Sequence, residues 1–126
     1  MMREIGGYFE LELENRGGFI HDDGLLVNTG RNALELILRN LPSDSKVYLP
    51  KYTCDVVLES FVKLGMSYTF YSVNKNLEID SDLMLDVNEY LLYTNYFGIK
   101  DSYVKELTER YHDKLIVDNA QALYAF

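Results

Sequence analysis

The sequence predicts an α/β protein of three layers: a mostly parallel sheet with helices on both faces. Three observations carry this. Short apolar runs at 46–49, 68–73, 89–95 and 114–117 do not alternate strictly between apolar and polar residues, as strands covered on both faces need not. Amphipathic stretches of helical spacing fall between them, and strands interleaved with helices build parallel sheets. The two prolines, Pro42 and Pro50, both sit at boundaries between these elements.

Each element follows from local chemistry. Tyr8 to Leu13 alternates after its aromatic start, reads as a half-buried strand or extended arm, and is bracketed by Gly6-Gly7 and Gly17-Gly18. Residues 1–24 are therefore set apart as an amino-terminal arm, and 25–126 as the α/β domain. Leu25-Leu26-Val27 is a short apolar run that stops at Asn28-Thr29-Gly30. Ala33, Leu34, Ile37, Leu38 and Leu41 then keep helical spacing. Asn32 with Glu35 forms a capping-type pair, Thr29 is the alternative N-cap, and Pro42 ends the helix. Lys46 to Leu49 is a strand. Thr53 to Leu64 is a helix with Val57, Leu58, Phe61 and Leu64 on one face, stopped by Gly65. Tyr68 to Val73 is rich in strand-forming residues and leads into the turn Asn74-Lys75-Asn76. A short helix is expected over Asp80 to Val87. Glu89 to Asn95 is a strand, Asp101 or Ser102 caps a helix with Val104, Leu107 and Tyr111 inward, and Lys114 to Val117 is the last strand.

Composition narrows the functional classes. With 126 residues, 48% of them hydrophobic, the chain suits one domain with a real core. A net charge of −8 argues against nucleic acid as a partner, because phosphate backbones require clustered Lys and Arg. It is compatible with one small anionic ligand held by backbone N–H groups. Cys54 is the single cysteine, so neither an internal disulfide nor a cysteine-based metal site is available. His21 and His112 lack metal-ligand spacing, and Asp22-Asp23 beside His21 reads as a solvated turn. No segment reaches the length of a membrane span or of a signal peptide core, and the expected location is the cytoplasm.

In a parallel sheet, ligands bind beyond the carboxyl ends of the strands. Pro50-Lys51-Tyr52-Thr53, Asn95-Tyr96-Phe97-Gly98 and Asp118-Asn119-Ala120-Gln121 all follow strand ends, so one rim is expected to hold them together. Asn28-Thr29-Gly30-Arg31-Asn32 opens into an amphipathic helix, where unpaired N–H groups and the helix dipole suit a phosphate; it is equally the pattern of an ordinary helix start. Asp118 can pair with a protonated ring nitrogen or simply close an Asx turn. Gln121 can meet a ring oxygen. Cys54, expected in the first turn of a helix, is a small apolar filler or a thiol of lowered pKa. Tyr93, Tyr96 and Phe97 are core residues or a stacking surface.

Taken in this order, these marks resemble the amino-terminal part of the DegT/StrS family of sugar aminotransferases, over roughly Leu25 to Phe126. Asn28 to Leu34 is similar to the family's phosphate turn, Pro50 to Thr53 to its Pro-x-x-Thr, and Asn95 to Gly98 to the loop after its third strand. Asp118-Asn119-Ala120-Gln121-Ala122 is similar to its Asp-x-Ala-Gln-Ala and is the most specific. The resemblance implies pyridoxal phosphate as cofactor and a partial aminotransferase large domain as fold. Gly30, Arg31 and Asn32 would give N–H groups to the phosphate, Asp118 would face the pyridinium nitrogen, and Gln121 would approach the phenolic oxygen. Cys54 would take the ring-stacking place, which it fills poorly; Tyr52 or Phe97 are substitutes. Small-molecule partners would be a nucleotide-linked keto-sugar and an amino-acid donor.

The family's Schiff-base lysine lies downstream of the Asp-x-Ala-Gln mark. Lys46, Lys51, Lys63, Lys75, Lys100, Lys105 and Lys114 all precede it, so no catalytic residue is assigned and the chain alone is expected to be inactive. The alternative is a non-catalytic α/β binding or interaction module that keeps part of this fold. If Lys46 to Leu49 is the far strand of the family's sheet, the fragment has a gap and two unpaired edges; it must close the gap, swap a strand with another copy or be marginally stable, and self-association into a homo-oligomer is expected.

Overall fold

A computed structural model describes residues 21, 23–122 and 124. The expected arm strand at Tyr8 to Leu13 lies outside the described residues. The order of elements is α1 (Gly30–Arg39), β1 (Lys46–Pro50), α2 (Val56–Leu64), β2 (Ser67–Tyr71), β3 (Glu89–Thr94), α3 (Asp101–Tyr111) and β4 (Leu115–Asp118). The four strands form one sheet in the order β2-β1-β3-β4, and every pairing is parallel. Tyr48 stands beside Thr69 on one side and Leu91 on the other, and Thr94 stands beside Asp118.

The helices cover both faces, as the non-alternating strands require. On one face α1 and α2 bury Leu38 and Phe61 against Val47, Leu49, Leu92 and Ile116. On the other, α3 buries Leu107 and Tyr111 against Leu91, Tyr93 and Tyr71. Side chains alternate between the two clusters along β3: Tyr90 and Leu92 face α1 and α2, while Leu91 and Tyr93 face α3. Among the described residues no helix is long and apolar enough to cross a membrane.

Local rules account for the helix ends. Thr29 Oγ1 accepts from the Asn32 N–H at 3.1 Å, so Thr29 is the N-cap of α1. Glu35 does not reach back to complete a capping pair; it accepts from Lys63 Nζ of α2 at 2.8 Å. Gly65 ends α2 in the left-handed conformation, with φ of 62°. The helix after β1 begins at Val56 with Asp55 as its cap residue, so Cys54 precedes it rather than lying in its first turn.

Two expectations are corrected. The short helix over Asp80 to Val87 does not form. Leu83 and Leu85 pack against the α3-side core while Met84 between them is exposed, a period of two that suits extended chain. The backbone carbonyls there serve α3 and its flank: the Tyr111 hydroxyl donates to Leu83 O at 3.0 Å, and Lys114 Nζ donates to Asp86 O at 2.6 Å. The gap in the sheet is also absent. Lys46 to Pro50 is an inner strand paired on both sides, and the open edges belong to β2 and β4. No vacant place beside β1 is left for a strand of another copy to fill.

Candidate functional site

Because all four strands run the same way, the segments after β1, β3 and β4 leave the sheet at one rim. The start of α1 comes to that rim from the α1/α2 face. Between them lies a cavity of about 520 Å³, within the range of small-molecule sites. Its lining includes Thr29, Gly30 and Arg31 from the helix start, Cys54 from the turn before α2, and Asp118 and Asn119 from the end of β4. Its walls are apolar and include Leu34, Ile37, Val57, Leu92 and Ile116. Four of the residues singled out in the sequence, Gly30, Arg31, Cys54 and Asp118, thus line one space although 88 positions separate the first from the last.

The helix start offers fewer amides than its sequence suggests. The Asn32 N–H is bonded to Thr29 Oγ1, the Asn32 side chain donates to Asn28 Oδ1, and Asn32 does not line the cavity. The Ala33 N–H is bonded to Thr29 O. The N–H groups of Gly30 and Arg31 have no intrahelical partner, as at any helix start. The Arg31 guanidinium is paired with Glu59 Oε2 of α2 at 2.5 Å. The positive character facing the cavity therefore comes mainly from two amides and the helix dipole. A Cβ on Gly30 would meet nothing within 4 Å, so there is open space at that point.

Asp118 uses one carboxylate oxygen locally. Its Oδ1 accepts from the Ala120 N–H at 2.9 Å, an Asx turn. A carboxylate has two oxygens, and Oδ2 keeps its acceptor capacity beside the cavity. The Asx turn is therefore formed, at a residue that also lines the cavity.

The turn after Asp118 is held by the loop after β3. The Asn95 N–H donates to Asp118 O at 2.9 Å, and Asn95 Nδ2 donates to Asn119 Oδ1 at 3.2 Å and to Asp101 Oδ1 at 2.7 Å. The Lys100 N–H completes the set by donating to Asn95 Oδ1 at 3.2 Å. Asn95 is fully buried and fully bonded, so it ties β4, α3 and its own loop together. Phe97 is left-handed, with φ of 56°, and its N–H donates to Gln121 Oε1 at 3.0 Å. Gly98 follows with φ of 68° and lies directly against the Gln121–Ala122 backbone. Gln121 is thus turned toward Phe97 and is not among the residues lining the cavity.

An aromatic group flanks this arrangement. Tyr52 stacks on Tyr96 with ring centroids 5.6 Å apart, and the Tyr96 hydroxyl donates to Tyr52 O at 2.8 Å. Burial raises the Tyr96 phenol to about 12, with the nearby Thr94 hydroxyl pulling the other way and the charge of Asp118 adding to the rise. Tyr93, beneath it, is a core residue, and burial pushes its phenol up as well. Sequence reasoning missed the roles of Asn95 and of the left-handed Phe97. The only signal for them was an Asn directly after a strand with a Gly three residues on.

No protein-family model matches the chain, and no curated protein matches it. Solved structures do. DesV of S. venezuelae, solved in complex with a ketimine intermediate, superposes with a TM-score of 0.57 at 23% identity over 75% of this chain and 28% of that one. The aminotransferase from Psychrobacter cryohalolentis superposes with a TM-score of 0.54 at 18% identity, over 74% of this chain and 26% of that one. The chain therefore has an aminotransferase-like α/β fold, a partial one. It spans between a quarter and a third of the length of the structures it matches.

Proposed function

We propose that the rim cavity binds pyridoxal phosphate, and that this chain is the cofactor-binding part of an aminotransferase of the DegT/StrS type. The reaction proposed for the complete form moves an amino group from an amino acid to a nucleotide-linked keto-sugar. The observation that carries the reading is the shared cavity: a helix start suited to an anion and a carboxylate suited to a cationic ring nitrogen line the same space. The aminotransferase-like fold and the four sequence marks support it. The residues present fit the cofactor's two charged ends.

When bound, pyridoxal phosphate supplies an electron sink for negative charge developing at a substrate carbon. The chain's own residues have separable tasks. The Gly30 and Arg31 N–H groups would hold the phosphate. Asp118 would pair with the ring nitrogen and keep a proton there. The Asx bond from the Ala120 N–H and the Asn95 N–H on Asp118 O keep that carboxylate from rotating away. The apolar walls exclude water, which strengthens a pairing between Asp118 and a cation.

A second reading is favoured by one observation: no lysine lines the cavity among the described residues. On that reading the chain binds its ligand without a covalent bond and performs no chemistry alone. Pyridoxine 5′-phosphate separates binding from reaction, since it lacks the aldehyde that would react with surface lysines. Saturable binding, displaced by pyridoxal phosphate, is expected. Asp118→Asn should weaken it about tenfold or more, the usual scale of a lost charge-assisted hydrogen bond. Equal affinity in wild type and Asp118→Asn, or no binding by wild type, would refute the cofactor assignment.

A further inference from the structure

We infer that two copies of this chain pair along β2, edge to edge and antiparallel, about a two-fold axis at Thr69. The inference is independent of the cofactor reading, because β2 is the opposite edge of the sheet from β4, whose end lines the cavity. Among the described residues β2 has a strand on one side only, and its other row of backbone groups has no strand to pair with. Such an edge invites another strand, and proteins that keep an edge free blunt it with charged residues, a proline or a bulge. β2 carries none of these. It reads Ser67-Tyr68-Thr69-Phe70-Tyr71, and its register with β1 runs unbroken over the whole strand. From Leu64 to Asn74 no residue is charged, the longest such run in a chain of which 25% is charged. The β4 edge differs: it ends on Asp118, and Lys114 directly precedes it.

The occupant is a second copy because the strand is complementary to itself. Antiparallel pairing centred on Thr69 sets Thr69 of one copy beside Thr69 of the other, Tyr68 beside Phe70, and Ser67 beside Tyr71. Tyr68 and Phe70 share the face covered by α2: their ring centroids are 5.5 Å apart, and Tyr68 meets Phe61 of α2 edge-on at 5.7 Å. They are 37% and 40% exposed, so each has apolar surface still to bury. In the pair each of these rings gains an aromatic partner across the axis, and the two threonines meet on the other face; both are favourable cross-strand combinations. A net charge of −8 makes two copies repel, and an uncharged strip is where they can approach most closely. Because both copies use the same edge, the contact is isologous and closes at a dimer. The two four-stranded sheets then continue into one.

Sedimentation of the full chain over a dilution series tests the pairing. Wild type should pass from monomer to dimer as concentration rises. Thr69→Lys sets two like charges against each other at the axis and should weaken the dimer at least tenfold. The Thr69 side chain is exposed, so the circular dichroism of this variant should match that of wild type. Met84→Lys, at a position 82% exposed and outside β2, should leave the dimer unchanged. Crosslinking is a second measure that does not depend on how Thr69→Lys folds. With Cys54→Ser removing the single native thiol, Thr69→Cys treated with diamide should give a disulfide-linked dimer, and Met84→Cys in the same background should not. A wild type that stays monomeric at every concentration, as when some other partner covers β2, overturns the inference. So does a dimer that Thr69→Lys leaves as tight as before, or a Thr69→Cys chain that crosslinks no better than Met84→Cys. Species that keep growing beyond a dimer would overturn the two-fold arrangement.

Discussion

Replacing Gly98 by alanine should be among the more damaging single-methyl additions in the chain, for two separable reasons. Its φ of 68° lies in the left-handed region, where a Cβ adds about 1 kcal/mol of strain. The new Cβ would also lie 3.3 Å from Gln121 O and 3.6 Å from Ala122 Cα, both backbone atoms that cannot rotate away. Forcing that contact apart adds roughly 1 kcal/mol more, at the low end of the scale for overpacked sites. The sum, about 2 kcal/mol, corresponds to a fall of about 1 M in the urea midpoint for a chain of this size. Gly30→Ala is the control. The same methyl there meets nothing within 4 Å, and no positive φ is involved. It should be neutral or stabilise by up to about 0.5 kcal/mol, by restricting the unfolded chain. Urea unfolding followed by circular dichroism measures both. A midpoint for Gly98→Ala no lower than that for Gly30→Ala would show that the β3 loop does not grip the turn after Asp118 as described.

Two further outcomes follow from the core. The phenol of Tyr96 is raised to about 12, and burial pushes those of Tyr71 and Tyr93 up too, against an ordinary value near 10. Above pH 10 the unfolded chain releases these protons and the native one keeps them, so stability is intact below pH 10 and falls as pH rises through the folded values. Phenolate absorbance should therefore rise in two stages, the second coinciding with loss of tertiary signal; a single stage with structure retained would contradict the burial of these rings. Leu92→Ala removes a side chain that is 1% exposed, at the centre of the α1/α2-side cluster, and should lower stability by about 3 kcal/mol. Val62→Ala, at a position 71% exposed, should change it by less than about 0.5 kcal/mol, and comparable losses in the two variants would argue against this core.

Most of the fold is legible in the sequence because its signals are local. Helical spacing marks α1, α2 and α3, and short runs that are apolar on both faces mark four strands of a covered sheet. The failures also have local causes. Asp80 to Val87 has enough polar residues to suggest a capped helix, yet only its tertiary contacts reveal that Leu83 and Leu85 face the same way. The position of Lys46 to Pro50 within the sheet is not a local property at all. Strand order depends on which edges meet after collapse, and an inner strand and an outer one carry similar apolar runs.

For the site, the sequence by itself determined the chemical inventory: a helix start with a glycine, an aspartate at a strand end, a glutamine three residues later, and no cluster of positive charge. Parallel strands then required these groups to share a rim. Only the tertiary structure decided which atoms remain available. Thr29 takes the Asn32 N–H, Glu59 takes the Arg31 guanidinium, the Ala120 N–H takes Asp118 Oδ1, and the Phe97 N–H takes Gln121 Oε1. The physical reason is that hydrogen-bonding capacity is finite and directional. Which donor reaches which acceptor depends on distances set by segments far apart in the chain, and residue order alone does not contain them.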